Sequence, residues 1–299
     1  MTLFVQTVVA GVSTGAIYAL VGLGYNVVYA GTGVFNLAQS QIFMLAAMFT
    51  WQFRQGFGWP TAGAVAAAVA LSSAVNVVVE RLAVAPLRRG RTYGAVPALG
   101  SLVTTLGAAT VISNLALAGW GPQTKPFANF FPVSGLRVGG VVITRQQLLT
   151  VGTLVVVVAA YEAFSSRTRW GVALRTLADD AEAAGMRGVP IGRGSMLSFG
   201  LAGAISALAG ALTGHVIPGG VSPSLGLEVG LSGFAAIAIG GFGSAAGALA
   251  GGMVLGMADA LTGSYWTDKY VLFVDLVLVL AVLAVRPRGL FYRASLREA

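Results

Sequence analysis

The sequence predicts an all-α polytopic integral membrane protein with about eight to nine membrane segments, some short or re-entrant, and three observations carry that expectation. Of 299 residues, 56% are hydrophobic and only 9% are charged, where an ordinary soluble domain carries roughly 25% charged residues. Too little polar surface is left to coat a water-soluble globule. Apolar stretches recur from end to end, each close to the ~20 residues that cross a hydrocarbon core of about 30 Å as a helix. Basic residues collect in three places separated by even numbers of such stretches, the pattern that positive-inside topology produces. Residues 1–299 read as a single transmembrane domain.

In order, the segments are residues 4–30, 37–53, 61–79, 97–118, 147–164, 195–217, 229–241, 245–261 and 270–285. The first is not a cleaved signal peptide, because no Lys or Arg precedes it and its apolar run exceeds the usual length of such a leader. Gly31 and Gly33 end it. The second is short enough to enter and leave on one side, which leaves the orientation of the N-terminus open.

Arg81, Arg88, Arg89 and Arg91 follow the third segment; Arg167, Arg169, Arg175, Arg187 and Arg193 follow the fifth; Arg286, Arg288, Arg293 and Arg297 follow the last. Those regions are expected in the cytoplasm, with the C-terminus. Arg54, Lys125, Arg137, Arg145 and Lys269 then fall outside. The net charge of +8 thus follows from topology and gives no reason to expect nucleic acid. Cysteine is absent, which excludes disulfides and thiolate metal sites, and the lone histidine, His215, cannot assemble a metal site by itself.

Many of the 42 glycines lie inside the apolar segments. In a bilayer, small residues four apart let helix backbones approach closely. Gly11 with Gly15, Gly210 with Gly214, Gly243 with Gly247, Gly247 with Gly251, and Gly252 with Gly256 have that spacing and predict a tight bundle.

Two connections are long. Residues 120–146 hold Pro122, Pro126 and Pro132 and then alternate through Val133, Gly135, Arg137, Gly139, Val141 and Ile143, which suits a short β-hairpin on the outer face. It is either a folded extracellular cap or a docking surface for a soluble partner. Residues 165–194 place Leu174, Leu177, Ala178, Ala181, Ala184 and Gly185 at helical spacing, with charged residues on the other faces. This predicts a short amphipathic helix at the cytoplasmic surface, stopped by Gly188 and Pro190.

Ionisable groups inside a membrane are functional candidates by default. Glu162 and His215 lie near segment ends, within reach of water. Glu228, Asp259 and Asp275 lie deeper, where they either bond helix to helix or border a permeation pathway. The uncharged cluster Asn36, Gln39, Ser40 and Gln41 follows the break at Gly31 and Gly33. A broken helix exposes backbone groups that protein or a water-filled cavity must satisfy, so Asn36, Gln39 and Gln41 are expected to border a substrate pathway. A second break, at Pro218, Gly219, Gly220, Pro223 and Gly226, falls in the later part of the chain; two interrupted segments in two halves suit a transporter. The chain's two lysines, Lys125 and Lys269, lie outside any G-x-x-x-x-G-K-[ST] motif, so any ATP hydrolysis belongs to another chain.

With those residues in view, the sequence resembles the branched-chain amino acid permease family of ABC importers, the shorter permease of its pair. The likeness spans nearly the whole chain. It rests on residues 11–20 (GVSTGAIYAL), 32–39 (TGVFNLAQ), 171–188 (GVALRTLADDAEAAGMRG), 234–244 (FAAIAIGGFGS), 247–252 (GALAGG) and 286–291 (RPRGLF). Glu182, Ala183 and Ala184, with Gly188 four residues on, match the E-A-A-x-x-x-G motif that forms the coupling helix in this family. The chain departs from the family's pattern at Gln39 and Ser40, where relatives often carry histidine and glycine, and at Asp259, where glutamate is frequent.

The resemblance implies a non-enzymatic permease subunit of the bacterial inner membrane that binds no cofactor itself. It would pair with a second homologous permease and rest on two cytoplasmic ABC ATPases, which use the ATP. An external binding protein would deliver branched-chain or related small amino acids. Asp179, Asp180, Glu182, Ala183, Ala184 and Gly188 would then couple the chain to the ATPase. Urea or short amides are the rival substrates on this scaffold. An ion-coupled carrier with Glu228, Asp259 or Asp275 as a proton relay, and an intramembrane hydrolase built on His215 and a serine such as Ser206, are the readings from other classes.

Overall fold

The computed structural model describes residues 2–89, 95–127, 130, 135–138, 140–179, 181–214, 216, 220–287 and 289–291. Asp180 and His215, named above, lie outside the described residues, as do Arg91, Pro132, Val133, Gly139, Pro218, Gly219, Arg288, Arg293 and Arg297; for Arg88, Arg89, Arg137, Ala178, Asp179, Ala181, Glu182 and Ala183 only the backbone is described.

The chain is helical at every one of the nine expected segments. The helices are α1 (Thr2–Thr32), α2 (Gln39–Trp51), α3 (Thr61–Val79), α4 (Ala85–Arg89) and α5 (Ala95–Trp120). A hairpin of β1 (Gly135–Val138) and β2 (Val141–Thr144) follows. Then come α6 (Arg145–Arg167), α7 (Arg169–Asp179), α8 (Ala181–Met186), α9 (Ile191–Thr213), α10 (Leu225–Gly240), α11 (Ala245–Tyr265) and α12 (Val271–Val285). Single π-helical turns extend α2 over Gln52–Gly56 and α3 over Glu80–Val84. The expected hairpin is present, antiparallel, with Gly135 opposite Thr144 and Val138 opposite Val141.

The expected count of eight to nine crossings is not reached on length alone. Six helices among the described residues are long and apolar enough to cross a bilayer: Thr2–Thr32, Thr61–Leu87, Leu99–Trp120, Arg145–Arg167, Ile191–Thr213 and Ala245–Tyr265. With 13, 16 and 15 residues, α2, α10 and α12 rise only about 20–24 Å at 1.5 Å per residue, short of a full core. Two of them, α2 and α10, are the helices that begin at the predicted breaks.

The core centres on α1, of which 18 residues are buried. It runs antiparallel to α11: Thr7 donates to Ser264 Oγ (3.1 Å) near one end, and Asn26 Nδ2 donates to Ser244 O (2.9 Å) near the other. Glycine makes the contact possible, because a Cβ added at Gly252 would stand 2.6 Å from Ala19 Cα. α9 packs into the same core through Ser206 and Ala202, which face Gly24, and through Gly210, which faces Phe43 of α2. By contrast α5, α6 and α12 present large apolar side chains outward, among them Val103, Leu115, Val156, Phe273 and Leu280, as a lipid-facing perimeter requires.

The N-terminal orientation left open by the basic residues is settled relative to the hairpin. Gln6 Nε2 donates to Val142 O (3.0 Å), and Val142 N donates back to Gln6 Oε1 (3.0 Å). The start of α1 and the hairpin therefore share one end of the bundle. Lys125 pairs with Val221 at bridge distances of 2.7 and 2.9 Å, tying the connection that contains the hairpin to the break before α10.

Candidate functional site

The first break is built from α1's end outward. Thr32 bonds back to Val28 O (2.7 Å) and Gly33 takes φ +65°, the left-handed region that ends helices at low cost only for glycine. Residues 33–38 leave helical form and Asn36 restarts it. Its Oδ1 accepts from Ala38 N (3.1 Å), and its carbonyl accepts from Gln39 N (3.1 Å). This local turn is typical of asparagine.

Asn36, Gln39 and Asn76 then form a closed amide network. Asn36 Nδ2 donates to Gln39 Oε1 (3.2 Å) and Asn76 Oδ1 (3.0 Å); Asn76 Nδ2 donates to Gln39 Oε1 (3.0 Å) and Phe199 O (2.7 Å). Gln39 Nε2 donates to Ala202 O (2.8 Å) and Ser206 Oγ (2.8 Å). All six amide hydrogens have acceptors, which is the full donor complement of three primary amides. A buried network satisfied in this way is rigid, so it locks the start of α2 onto α3 and α9.

Gln41 and Ser40 face the other way. Ser40 lies against Gly230, and Gln41 against Gly226 in the first turn of α10. The first turns of the two interrupted helices therefore meet. Gln41 is buried and its Oε1 has no hydrogen-bond partner. An aromatic cluster closes the neighbouring space: Phe35 lies 4.7 Å from Tyr29, 5.0 Å from Phe242 and 6.1 Å from Phe234, centroid to centroid.

The structure thus joins Asn36 and Gln39 to Asn76, turns Gln41 toward α10, and shows no hydrogen bond from any of them to the acidic candidates among the described residues. Glu228 is exposed on α10, on a face shared with Leu227, Leu231 and Phe234. Asp259 is buried and accepts from Tyr18 Oη (2.7 Å), while Asp275 accepts from Ser232 Oγ (2.8 Å). Glu162 is exposed and paired with Arg175 at 3.0 Å. Sequence reasoning missed Asn76, and the signal was an asparagine within the apolar third segment. It missed as well the buried Glu80, to which Ser195 Oγ donates (2.9 Å).

At the opposite end of the bundle from the hairpin, α7 and α8 replace the single amphipathic helix expected there. Leu174, Leu177 and Ala184 are buried together beneath Phe164, Ile191 and Leu197. Ala184 therefore turns toward its own bundle. Gly188 has φ +83°, no atom near a Cβ built there, and exposed neighbours Met186 and Arg187. The outward surface is this C-terminal corner.

A profile of the family described as "Branched-chain amino acid transport system / permease component" matches residues 7–283. The chain belongs to that family. Among curated members of the permease family, the high-affinity branched-chain amino acid transport system permease protein BraD of Pseudomonas aeruginosa is 28% identical over 307 positions, covering 99% of this chain and 98% of BraD. The corresponding LivH of Escherichia coli K12 is 28% identical over 310 positions, covering 99% and 97%. The fructose import permease protein FrcC of Rhizobium meliloti is 29% identical, with 94% of this chain and 76% of FrcC covered. A solved structure, PsaBC from Streptococcus pneumoniae in complex with Fab, overlays with a TM-score of 0.50 at 12% identity across 96% of this chain and 93% of that one. That likeness concerns fold alone. For this family member, the paired helix breaks are the internal feature that a permease role must account for.

Breaking the amide network has a calculable consequence. Gln39→Leu leaves N–H groups of Asn36 and Asn76 without their shared acceptor, and each unsatisfied buried group costs about 1–3 kcal/mol. Thermal unfolding in mild detergent is expected to show a loss of about 3 kcal/mol or more. An unchanged midpoint would mean that water replaces the missing amide.

Proposed function

We propose that this chain is a membrane-spanning subunit of an ATP-driven importer for branched-chain or related small amino acids. It pairs with a second homologous permease, stands on two cytoplasmic ABC ATPases and receives substrate from an external binding protein. The observation that carries this reading is the meeting of two interrupted helices inside the bundle, α2 at Ser40 and Gln41 with α10 at Gly226 and Gly230, in a member of a permease family. Helix starts within a membrane present backbone N–H groups and positive dipole ends, which suit a passing carboxylate.

Glu228 supports the same geometry. A carboxylate on an exposed α10 face is costly against hydrocarbon, so this face borders the water-filled route between the paired permeases. Residues 33–38 and the stretch before Leu225 extend the short α2 and α10 to the membrane surfaces. Residues 81–96, 165–194 and 286–299 face the cytoplasm, and the hairpin and N-terminus face outward. Gly188 and the adjoining Arg187 and Met186 offer the ATPase its contact, with Asp179, Asp180, Glu182 and Ala183 on the same short segment.

Cysteine labelling tests the topology cleanly, since the chain has none of its own. Leu136→Cys on the hairpin is expected to react with an impermeant maleimide from outside, and Met186→Cys only after the inner face is opened. The reverse pattern would overturn the orientation. Substrate class is tested by isothermal titration of the cognate receptor with leucine, urea and acetamide. Binding of urea or acetamide with no binding of leucine would replace the amino-acid reading with the amide one.

A further inference from the structure

Buried acidic side chains in a lipid-facing bundle need an account of every oxygen. Asp259 on α11 is 7% exposed and Asp275 on α12 is 4% exposed. One oxygen of each is satisfied: Asp259 Oδ2 by the Tyr18 hydroxyl of α1, and Asp275 Oδ2 by the Ser232 hydroxyl of α10. The other oxygen of each, Oδ1, is buried without a hydrogen-bond donor. α12 packs against both α10 and α11, and α1 packs against the same two helices, so the two carboxyls and their hydroxyl donors sit at one helix junction.

We propose that Asp259 and Asp275 form an intramembrane proton-binding site, in which one carboxylic acid O–H bonds to the other's carboxylate and clasps α12 to α11. Two adjacent ionised carboxylates would repel and would each forgo solvation, so a like-charged pair sharing a buried site holds a proton. One proton supplies the donor that the Oδ1 oxygens lack. It also gives an otherwise apolar helix a polar tie, since α12 buries only Asp275 among its residues.

The surroundings leave the proton as the occupant. Packed against α11 and α12 are α1, α10 and the 3-10 turn Asp268–Tyr270. Of their described titratable groups, Tyr18 contacts the pair as a donor; Glu228 and Tyr270 are exposed, Lys269 is also exposed, and Tyr25 and Tyr29 belong to the aromatic cluster. No ion pair to either carboxyl is present among the described residues. No third acidic or histidine side chain completes a metal-sized group among the described residues.

The test is infrared spectroscopy of the full chain reconstituted in lipid vesicles at neutral pH in potassium buffer, combined with hydrogen exchange of α12. The expected result is a carboxylic acid C=O band that is lost or displaced in both Asp259→Asn and Asp275→Asn. Asn at 275 still offers an N–H to Asp259 Oδ1, so α12 stays protected. Asp275→Leu offers none, and its α12 amides are expected to exchange at least about tenfold faster, the change that 1.4 kcal/mol produces. Three results would overturn the proposal: no acid band in the unmodified protein, a band unaltered in both asparagine variants, or α12 protection that appears only when sodium is added, which would make the occupant a metal cation.

Discussion

Gly252→Leu is expected to abolish the folded permease. Transmembrane helices gain little from hydrophobic association in lipid, so close packing and interhelical hydrogen bonds hold them together. α1 buries 18 residues, and its contact with α11 runs through glycine backbones. A Cβ at Gly252 would lie 2.6 Å from Ala19 Cα and 2.7 Å from Ala19 Cβ, and one at Gly15 would lie 2.8 Å from Gly252 O. Backbone cannot swing aside as a side chain can. Overpacking alone costs about 1–3 kcal/mol where side chains adjust, and here the helices must separate, which also breaks the Tyr18 to Asp259 and Thr7 to Ser264 hydrogen bonds. Size-exclusion chromatography in mild detergent is expected to show aggregate for leucine and a reduced folded peak for alanine. A normal peak with an unchanged unfolding midpoint for Gly252→Leu would show that α1 and α11 do not pack as described.

Under the proposed assembly, Gly188→Trp is expected to leave a folded permease that no longer couples to the ATPase. Gly188 follows α8 with φ +83°, exposed, and with nothing close to a Cβ built there. A side chain at this position finds space, yet must adopt a left-handed conformation that costs a non-glycine residue about 1–2 kcal/mol. Asparagine tolerates that conformation best. Comparing Gly188→Trp with Gly188→Asn therefore separates bulk at the surface from backbone strain. In vesicles containing both permeases, the ATPases and loaded receptor, tryptophan is expected to return ATP hydrolysis to its unstimulated rate and asparagine to keep stimulation. Reversal of Glu182 to Lys is expected to act as tryptophan does. Full stimulation, normal uptake and normal co-purification of the ATPase in the tryptophan and lysine variants would remove this segment from coupling.

How much of this was legible in the sequence follows from what each feature needs. The helices were legible because hydrophobic runs near membrane length are a local property, and the break at Gly31 and Gly33 because glycine followed by Asn36 writes its own turn. The partners of Asn36 and Gln39 were not. Asn76 lies 37 residues beyond Gln39, and only the packing of α3 and α9 against α2 brings the three amides into one network. Asp259 and Asp275 each stood out as an intramembrane acid, but their proximity depends on how α11 turns into α12. Ala184 was legible as part of a motif while its direction was not, since the burial of Leu174 and Leu177 against α9 decides which face of α8 remains outward.

ATP-dependent uptake by a complete reconstituted system tests the central claim most directly. Vesicles would hold this chain, its second permease and the two ATPases, with receptor loaded with radiolabelled leucine on the outer side and ATP supplied to the ATPase side. The account predicts leucine accumulation that requires ATP, receptor and ATPase together, and none when a proton or sodium gradient is the sole energy source. Accumulation driven by an ion gradient in vesicles that contain this chain without any ATPase would contradict it and restore the ion-coupled carrier.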